Sequence, residues 1–438
     1  MKTLLEKALK VCDSAEVYYR EVFSTNLSIL TGEMQGIESE KKTEISLRIV
    51  KNNQMGAAIA TSLDDDSIIT RALISLENQT SEADLFTCEA YPEVVSASEA
   101  VKNLKTETMV DMAFEMVNRV KAIDDQVTFG VNMTKVIKNV RLMNSSGFDG
   151  AYDYTNMEID LFTLTPQGFY NASKEFTSGD IPVVTDADIV ELIHHHHLEN
   201  QPITLENEKM PVVFSGNCMG SLMLRVVGGV SGGNITKEVS PLCGKLNQTI
   251  FSEKLTIRDD ATLSLGCNSF AFDDEGTPAQ NTVLYEKGVL KNYLTSVGHA
   301  KKLGGKPTGN AIKRALFSKE IEDAPTVFES NLIVEGDSIP DSELIGGIKR
   351  GLFISGVMGA HTGNINQGEF SMNISSGYLI ENGKFVGKVK GAMIAGNIYE
   401  MFKNIEAIGT EVEPMRSIFY HMGYSPMVLF SEVNIVGK

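Results

Sequence analysis

Histidine and carboxylate side chains are the residues of this sequence that could bind a metal or transfer a proton. The seven histidines form one run and three isolated positions: His194–His197, His299, His361 and His421. On a helix, consecutive side chains spread around the axis, so only His194 and His197 of the run would share a face. A metal site needs ligands that converge, and a tract does not supply them by itself. We interpret the run as the polar end of a helix, where histidine is favoured; adventitious metal binding is the alternative.

His361 lies in a glycine-rich loop, residues 356–368, directly before the segment Gly368-Glu369-Phe370. A loop of this length at the end of a strand can line a cleft. A solvated surface loop is the alternative interpretation. The other polar cluster is Asp273-Asp274-Glu275, which we expect to be solvated, because consecutive carboxylates in a turn usually are and the spacing of an EF-hand is absent.

Two glycine-rich segments, residues 228–234 and 304–310, superficially resemble phosphate-binding loops. Neither contains Gly-x-x-x-x-Gly-Lys-Ser/Thr, and the chain has no Gly-x-Gly-x-x-Gly, so nucleotide binding finds little support. The Gly-x-Ser-x-Gly elbow of a serine hydrolase is also absent. We expect these glycines to permit bulges and close backbone approach in a strongly curved sheet.

Composition excludes further classes of protein. The 438 residues carry a formal charge of −18, whereas sequence-independent DNA binding depends on basic side chains, so no direct nucleic-acid contact is expected. No apolar run is long enough to span a membrane, and the first residues lack the apolar core of a signal peptide. The cysteines are odd in number and far apart, which indicates reduced, mostly buried thiols in the cytoplasm: Cys12, Cys88, Cys218, Cys243 and Cys267.

The elements that must position these residues follow from periodicity. In the first half, helices are predicted over 2–12, 64–76, 108–123 and 186–198, and strands over 15–23, 27–30, 45–50, 55–60, 127–131, 135–143 and 157–163. In the second half strands dominate. Turns are predicted at Glu286-Lys287-Gly288 and at Asn382-Gly383, the latter a type I′ hairpin turn. One further helix is predicted from an Asn397 cap to Gly409, because Ile398, Met401, Phe402, Ile405 and Ile408 recur at helical spacing.

These patterns predict an α+β fold. Residues 1–200 would form an N-terminal domain of antiparallel strands and long helices, with a possible division into subdomains near 80–105. Residues 205–438 would form a mostly antiparallel, barrel-like β domain.

Four segments, taken in order, carry a resemblance to a known family. They are the run from Ala15 through Arg48, the segment 272–280 (FDDEGTPAQ), the segment 306–310 (KPTGN), and the stretch 368–397 that contains GYLIENGK and VKGAMIAGN. Together they resemble the TldD/PmbA family over almost the whole chain. That family has been described as modulators of DNA gyrase and as zinc-dependent peptidases.

The resemblance implies a zinc site that this sequence does not provide. Catalytic members of the family carry His-Glu-x-x-x-His on a helix, with a Glu beside the metal as general base. By segment order this motif would follow the strand 211–214, but residues 215–225 read SGNCMGSLMLR. The family's further cysteine ligand near the C-terminus is also missing, since no cysteine follows Cys267. The resemblance therefore points to the PmbA/TldE branch, which holds no zinc of its own.

On this basis the sequence predicts a subunit of a TldD/TldE-type peptidase system that processes unfolded peptides, with zinc only in a TldD-like partner. The expected peptide contacts are His361, Gly368, Glu369 and Phe370, with an extended peptide added to the strands around 368–380. Two alternatives stay open. One is a homodimer that binds peptides without chemistry; the other is a peptidase with a metal site unlike the family's, to which His194, His197, His299 and His361 could contribute.

Overall fold

The structure is a computed structural model, and it describes residues 1–76, 89–198, 201–314, 321, 324–417 and 420–437. The helices are α1 (Lys2–Ala8), α2 (Ser67–Leu76), α3 (Glu99–Asn103), α4 (Thr106–Ile123), α5 (Asp186–Leu198), α6 (Gly216–Val230), α7 (Gly232–Thr236), α8 (Val297–Leu303), α9 (Asp341–Gly346) and α10 (Ile398–Met401). Short 3-10 helices cover Ile365–Gln367 and Phe402–Asn404. None of the described helices is both long and apolar enough to span a membrane.

The strands divide between two large sheets and one small one. The first sheet contains β1 (Ser14–Leu30), β2 (Glu33–Lys51), β3 (Gln54–Ala60), β4 (Thr128–Asn144), β5 (Asp149–Leu164) and β6 (Tyr170–Ser178). The second contains β7 (Pro202–Ile203), β8 (Glu208–Phe214), β9 (Thr256–Asp260), β10 (Asn281–Glu286), β11 (Val289–Leu290), β14 (Leu332–Glu335), β15 (Arg350–Met358), β16 (Glu369–Glu381), β17 (Lys384–Val389), β18 (Met393–Asn397), β19 (Ile405–Arg416) and β20 (His421–Val436). The strands β12 (Ala311–Ile312) and β13 (Thr326–Val327) pair with each other.

The N-terminal sheet is antiparallel throughout, in the order β3-β2-β1-β4-β5-β6. Alternation along β1 places Val17 and Leu27 on the face that the helices cover. The opposite face presents Tyr18, which packs with Phe272 of the C-terminal half. The predicted strands 15–23 and 27–30 are one strand, and so are 127–131 and 135–143, because the intervening polar residues continue the ladder.

The C-terminal sheet closes on itself. β8 pairs with β20 and β15, β15 with β16, β16 with β18, and β18 with β20, which makes a five-stranded barrel. The β8–β15 pair is parallel and the other four pairs are antiparallel. The barrel is therefore mixed but mostly antiparallel, as the sequence predicted, although the sequence did not identify the parallel pair. Side chains of α6 share one large apolar core with the barrel strands.

The turn chemistry of the second half is confirmed. Asn382 and Gly383 have φ values of 49° and 74°, and they join β16 to β17 through the pair Glu381↔Lys384. Lys287 and Gly288 likewise have positive φ between β10 and β11. Both φ values are positive at each turn, as a type I′ hairpin turn requires.

The helix predicted over residues 397–409 is wrong from Ile405 onward, since α10 is followed by the 3-10 helix Phe402–Asn404 and then by a strand. Asn397 does cap it, accepting a hydrogen bond from the Tyr399 N–H, but α10 ends at Met401. Ile405 begins β19, which pairs with β20. The five apolar residues of the pattern are all buried in the barrel core. Their spacing therefore predicted burial correctly but did not predict the strand conformation.

The acidic triplet is buried, contrary to the expectation that it is solvated. Asp273, Asp274 and Glu275 are 2%, 8% and 4% exposed. Asp273 accepts hydrogen bonds from three backbone N–H groups, Asp274 from the Lys313 N–H, and Glu275 from the Val297 N–H. These carboxylates hold distant segments together, a role that only the tertiary structure could show.

The two glycine-rich segments do not form bulges in the sheet. Residues 228–234 complete α6 and begin α7, while Gly304 ends α8 in the left-handed conformation. Four of the five cysteines are free thiols in the structure, two buried and two partly buried, and Cys88 lies outside the described residues. Part of the possible subdomain division near 80–105 also lies outside them. The first sheet ends before the domain boundary predicted at residues 200–205, and the second sheet begins within it, at β7; the boundary itself stays a prediction.

Candidate functional site

A pocket of about 320 Å³ opens beside the N-terminal half of α6. It lies between that helix, the end of β15, the loop that follows β15, and the end of β19. We call it the α6 pocket; its polar lining includes Asn217, Cys218, Ser221, Ser355, His361 and Arg416. The sequence places α6 here because Ser215 caps it, with its hydroxyl accepting a hydrogen bond from the Cys218 N–H. Gly220 lets the helix approach β19: a Cβ there would lie 2.1 Å from the Arg416 carbonyl oxygen.

Arg225 organises the wall of this pocket. Its side chain is fully buried, and its guanidinium donates to four backbone carbonyls. Nε donates to Glu369 O at 2.7 Å, Nη1 to Ser221 O and Ala360 O at 2.9 Å each, and Nη2 to Thr362 O at 2.8 Å. Burial lowers the pKa of Arg225 to about 10, which still leaves the group charged at neutral pH. The fixed cation thereby joins α6 to both ends of the loop 360–369.

Of the four residues expected to contact a peptide, only His361 lines the α6 pocket, and Gly368, Glu369 and Phe370 lie at the start of β16. His361 is exposed and lines the α6 pocket. Glu369 and Phe370 begin β16, where they pair with β18, and Gly368 precedes them with a positive φ. The Arg225 guanidinium binds the Glu369 carbonyl and lies 6.0 Å from the centre of the Phe370 ring. Sequence reasoning missed Arg225, although a single charged residue inside the apolar stretch 222–230 was a signal that could have identified it.

The strand β16 is not an open edge in the described structure. Its first residues pair with β18, residues 373–381 pair with β15, and residues 378–381 also pair with β17. The Thr362 hydroxyl donates to the Ser371 carbonyl on the side that β15 leaves uncovered. A peptide therefore cannot extend the sheet along 368–380 without displacing these partners, and the pocket itself is the better place for a ligand.

The histidine run ends α5 as predicted, but its members diverge. His195 is buried and stacks on Tyr378 with ring centres 4.5 Å apart. His196 contacts Asn171, and His197 Nε2 lies 2.8 Å from an Asp124 oxygen. Burial lowers the pKa of His195 to about 4, so its ring is neutral at physiological pH. The run is therefore not a joint metal site.

Charged pairs connect the N-terminal sheet with the barrel beside the α6 pocket. Glu158 of β5 contacts His421 at the start of β20, and Arg416 of β19 lies 2.6 Å from Glu175 of β6. Asp160, next but one to Glu158 on β5, has no such cation in contact within the described part of the chain; burial and then the nearby Glu175 charge raise its pKa to about 6.

Asp160→Asn should stabilise the protein at pH 7 by about 1 kcal/mol, after allowance for its partial exposure. The pKa of the folded carboxyl is raised, so the folded state binds more protons than the unfolded state between about pH 4 and 6. Stability attributable to Asp160 is thus present below pH 4 and lost as the pH rises through 6. Urea unfolding at pH 4.5 and 7 measures this. In the Asn variant, the free energy of unfolding should differ less between the two pH values than it does in the wild type. An unchanged difference in unfolding free energy would contradict the raised pKa of Asp160.

The site does not fit the zinc that the resemblance implies. The helix that follows β8 presents Arg225, a buried cation held by four carbonyls, and its residues 216–230 include no histidine or carboxylate. Cys218 is buried, which raises the pKa of its thiol to about 12 and disfavours the thiolate that binds metals. Across the described residues, no three His, Cys, Asp or Glu side chains converge as metal ligands would. No catalytic step through zinc is derived for this chain.

Comparisons with known proteins agree with this architecture. The chain is 24% identical to the metalloprotease PmbA of Escherichia coli O157:H7 over 462 aligned positions, covering 100% of this chain and 95% of that protein. It is 25% identical to a metalloprotease of Archaeoglobus fulgidus, covering 90% and 91% of the two chains. The crystal structure of TldE from Thermococcus kodakarensis superposes with a TM-score of 0.89 at 22% identity, over 100% of both chains. A putative modulator of DNA gyrase from Thermotoga maritima gives 0.86 at 21% identity, over 99% and 100%.

Two segments also match described family domains. Residues 15–77 match the PmbA/TldA metallopeptidase domain 1, and residues 207–437 match the PmbA/TldA metallopeptidase C-terminal domain. The second match alone spans more than half of the sequence. The chain therefore belongs to the PmbA/TldD metallopeptidase family.

Proposed function

We propose that this chain is a non-catalytic, PmbA/TldE-like subunit of a two-component peptidase system, in which a separate TldD-like subunit holds the zinc. The observation that carries the proposal is Arg225. A guanidinium fixed by four backbone carbonyls stands on the helix where the family's resemblance leads one to expect metal ligands. A divalent cation would be repelled there, so the chain can shape a peptide-binding surface but supplies no metal-activated water.

The ligand of this surface is an unfolded or extended peptide. The α6 pocket offers backbone and hydroxyl groups as well as Arg416 and His361, which can bond a peptide backbone with little demand on its sequence. His361 is the residue of the predicted set that would contact the peptide. Gly368, Glu369 and Phe370 would act through the loop that Arg225 holds in place.

Two measurements on the untagged protein test the proposal. Elemental mass spectrometry after a chelator wash should find less than about a tenth of an equivalent of zinc, since a true three- or four-ligand site retains its metal through purification. The isolated chain should not cleave an unfolded peptide, and adding it to a TldD-like subunit should raise that subunit's cleavage rate. A retained equivalent of zinc, or cleavage by this chain alone, would refute the proposal.

The same mixing experiment separates the remaining alternative. Peptide binding by this chain as a homodimer, with no effect on a TldD-like subunit, would identify a binding protein without chemistry. Size-exclusion chromatography of the chain with and without the partner supplies the corresponding molecular masses. We also propose that the protein is cytoplasmic; the four described cysteines, which are free thiols, support this proposal, and cell fractionation tests it.

A further inference from the structure

A second, smaller pocket of about 70 Å³ adjoins the α6 pocket, since Asn217 and Ser355 line both. We call it the Glu413 pocket. It lies between β6, α5, the start of α6 and β19. Three carboxylates and one ammonium line it: Glu175, Glu191, Glu413 and Lys174. Its volume suits one or two water molecules or the charged end of a ligand side chain.

The other charges of the Glu413 pocket are already matched. Lys174 bonds Glu191 at 2.5 Å and Asp188 at 2.9 Å, and Glu175 bonds Arg416. Glu413 is different: among the described residues it accepts one hydrogen bond, from the Asn217 N–H, and forms no ion pair. The Lys174 charge acts on Glu413 but forms no ion pair with it; this is unusual for a partly buried carboxylate, because its desolvation is compensated only when a positive group or several donors contact it.

His195 provides an independent observation on the same pocket. It is 91% buried, it lines the Glu413 pocket, and its Nε2 atom is buried without a hydrogen-bond partner within the described structure. The ring is neutral at physiological pH, so with its proton on Nδ1 it offers Nε2 as an acceptor. Buried polar atoms in folded proteins are nearly always paired, so the unpaired His195 acceptor, in the same pocket as a carboxylate without an ion pair, indicates a missing donor.

We propose that the Glu413 pocket binds a primary ammonium group of a peptide, with the adjoining peptide backbone in the α6 pocket. An ammonium carries one positive charge and three N–H donors, which match the Glu413 carboxylate that has no ion pair and the unpaired His195 acceptor. The net negative lining excludes anionic ligands, and the absence of converging metal ligands among the described residues disfavours a metal ion. The inference rests on the proposed function only in taking the ligand to be a peptide. The ammonium has two possible sources, the free N-terminus and a lysine side chain.

Calorimetric titration of the isolated chain with three probes tests this. They are trialanine amide with a free N-terminus, the same peptide N-acetylated, and an N-acetylated peptide with one lysine. The free-amine probe should bind about tenfold or more tightly than its acetylated form, because hydrogen bonds to charged groups are stronger than those between neutral groups. The lysine probe shows whether a side-chain ammonium also fits. Equal affinity for all three probes would overturn the proposal and leave the pocket to water.

Matched variants assign the effect to named atoms. Glu413→Gln keeps the shape and the acceptor for Asn217 but removes the charge, and it should weaken ammonium binding about tenfold while leaving the acetylated probe unchanged. Glu411→Gln, at an exposed position two residues earlier on β19, is the control and should have no effect. His195→Phe keeps the stacking on Tyr378 and removes the acceptor, so it should weaken ammonium binding as well. Circular dichroism confirms that each variant is folded.

A Glu413→Gln variant that binds the free-amine probe as tightly as the wild type would contradict the proposal. These titrations use no TldD-like subunit, so their failure is distinct from a failure of the proposed function. Stimulation of a TldD-like subunit without ammonium selectivity would leave the function standing and remove this site. Ammonium selectivity without stimulation of a TldD-like subunit would support this site and contradict the proposed function.

Discussion

Arg225→Met should lower the free energy of unfolding by about 3–5 kcal/mol. Methionine nearly preserves the length and apolar contacts of the side chain, but it removes the donors for four backbone carbonyls. A buried acceptor left without a partner costs about 1–3 kcal/mol, and relaxation of the loop 360–369 recovers part of that sum. Urea unfolding of the wild type and the variant measures the difference.

The control for this prediction is Arg350→Met. Arg350 forms an ion pair with Glu208 at 2.5 Å in which both side chains are substantially exposed, and such pairs contribute about 1 kcal/mol or less. The loss of unfolding free energy in Arg225→Lys should lie between the losses in these two variants, because lysine keeps the positive charge but lacks the planar set of guanidinium donors. Hydrogen exchange should show faster exchange in residues 360–370 of the Met variant. Equal losses for Arg225→Met and Arg350→Met would show that the carbonyl network contributes little.

Gly220→Ala should destabilise the protein by about 2–3 kcal/mol, even though alanine favours a helix. The added Cβ would lie 2.1 Å from the carbonyl oxygen and 2.4 Å from the carbonyl carbon of Arg416. Backbone atoms of a paired strand cannot yield as a flexible side chain can, so α6 and β19 must separate. Because Asn217 and Arg416 both line the α6 pocket, the separation should also weaken peptide binding there.

Gly228→Ala, on the same helix, is the matched control. Its Cβ would meet nothing nearer than the Ile365 Cγ2 atom at 3.3 Å, so its effect should stay within about 1 kcal/mol, combining a small steric cost with the gain in helix propensity. The two variants are compared by urea unfolding and by titration with an unfolded peptide. If Gly220→Ala and Gly228→Ala behave alike, the close contact between α6 and β19 is not the constraint that the geometry indicates.

Much of the local structure could be predicted because it depends on near neighbours in the sequence. The Asn382-Gly383 turn follows from two residues that tolerate positive φ. The helix predicted over 108–123, which the structure shows as α4, and the capping residue Asn397 depend on the same short-range interactions. The order of segments was also sufficient for the family, and the matched domains confirm it.

Predictions failed where a segment distant in sequence determines the conformation or the burial of a residue. Ile405 and Ile408 are spaced as on a helix, but they lie in β19, which pairs with β20. In this strand their side chains are still buried in the same apolar core. The triplet Asp273–Glu275 seemed solvated because nothing nearby in sequence would bury it. Backbone N–H groups from residues 297, 311 and 313 make its burial favourable.

The sequence by itself determined the family, the turn at Asn382-Gly383 and the lack of a His-Glu-x-x-x-His helix, since each depends on residue identity and order. The tertiary structure decided what stands in place of that motif. It placed Arg225 against the carbonyls of a loop about 140 residues away along the chain, and it selected His195 from four adjacent histidines for burial beside Glu413. Both outcomes depend on desolvation and on partners supplied by remote segments, quantities that a local sequence pattern does not encode.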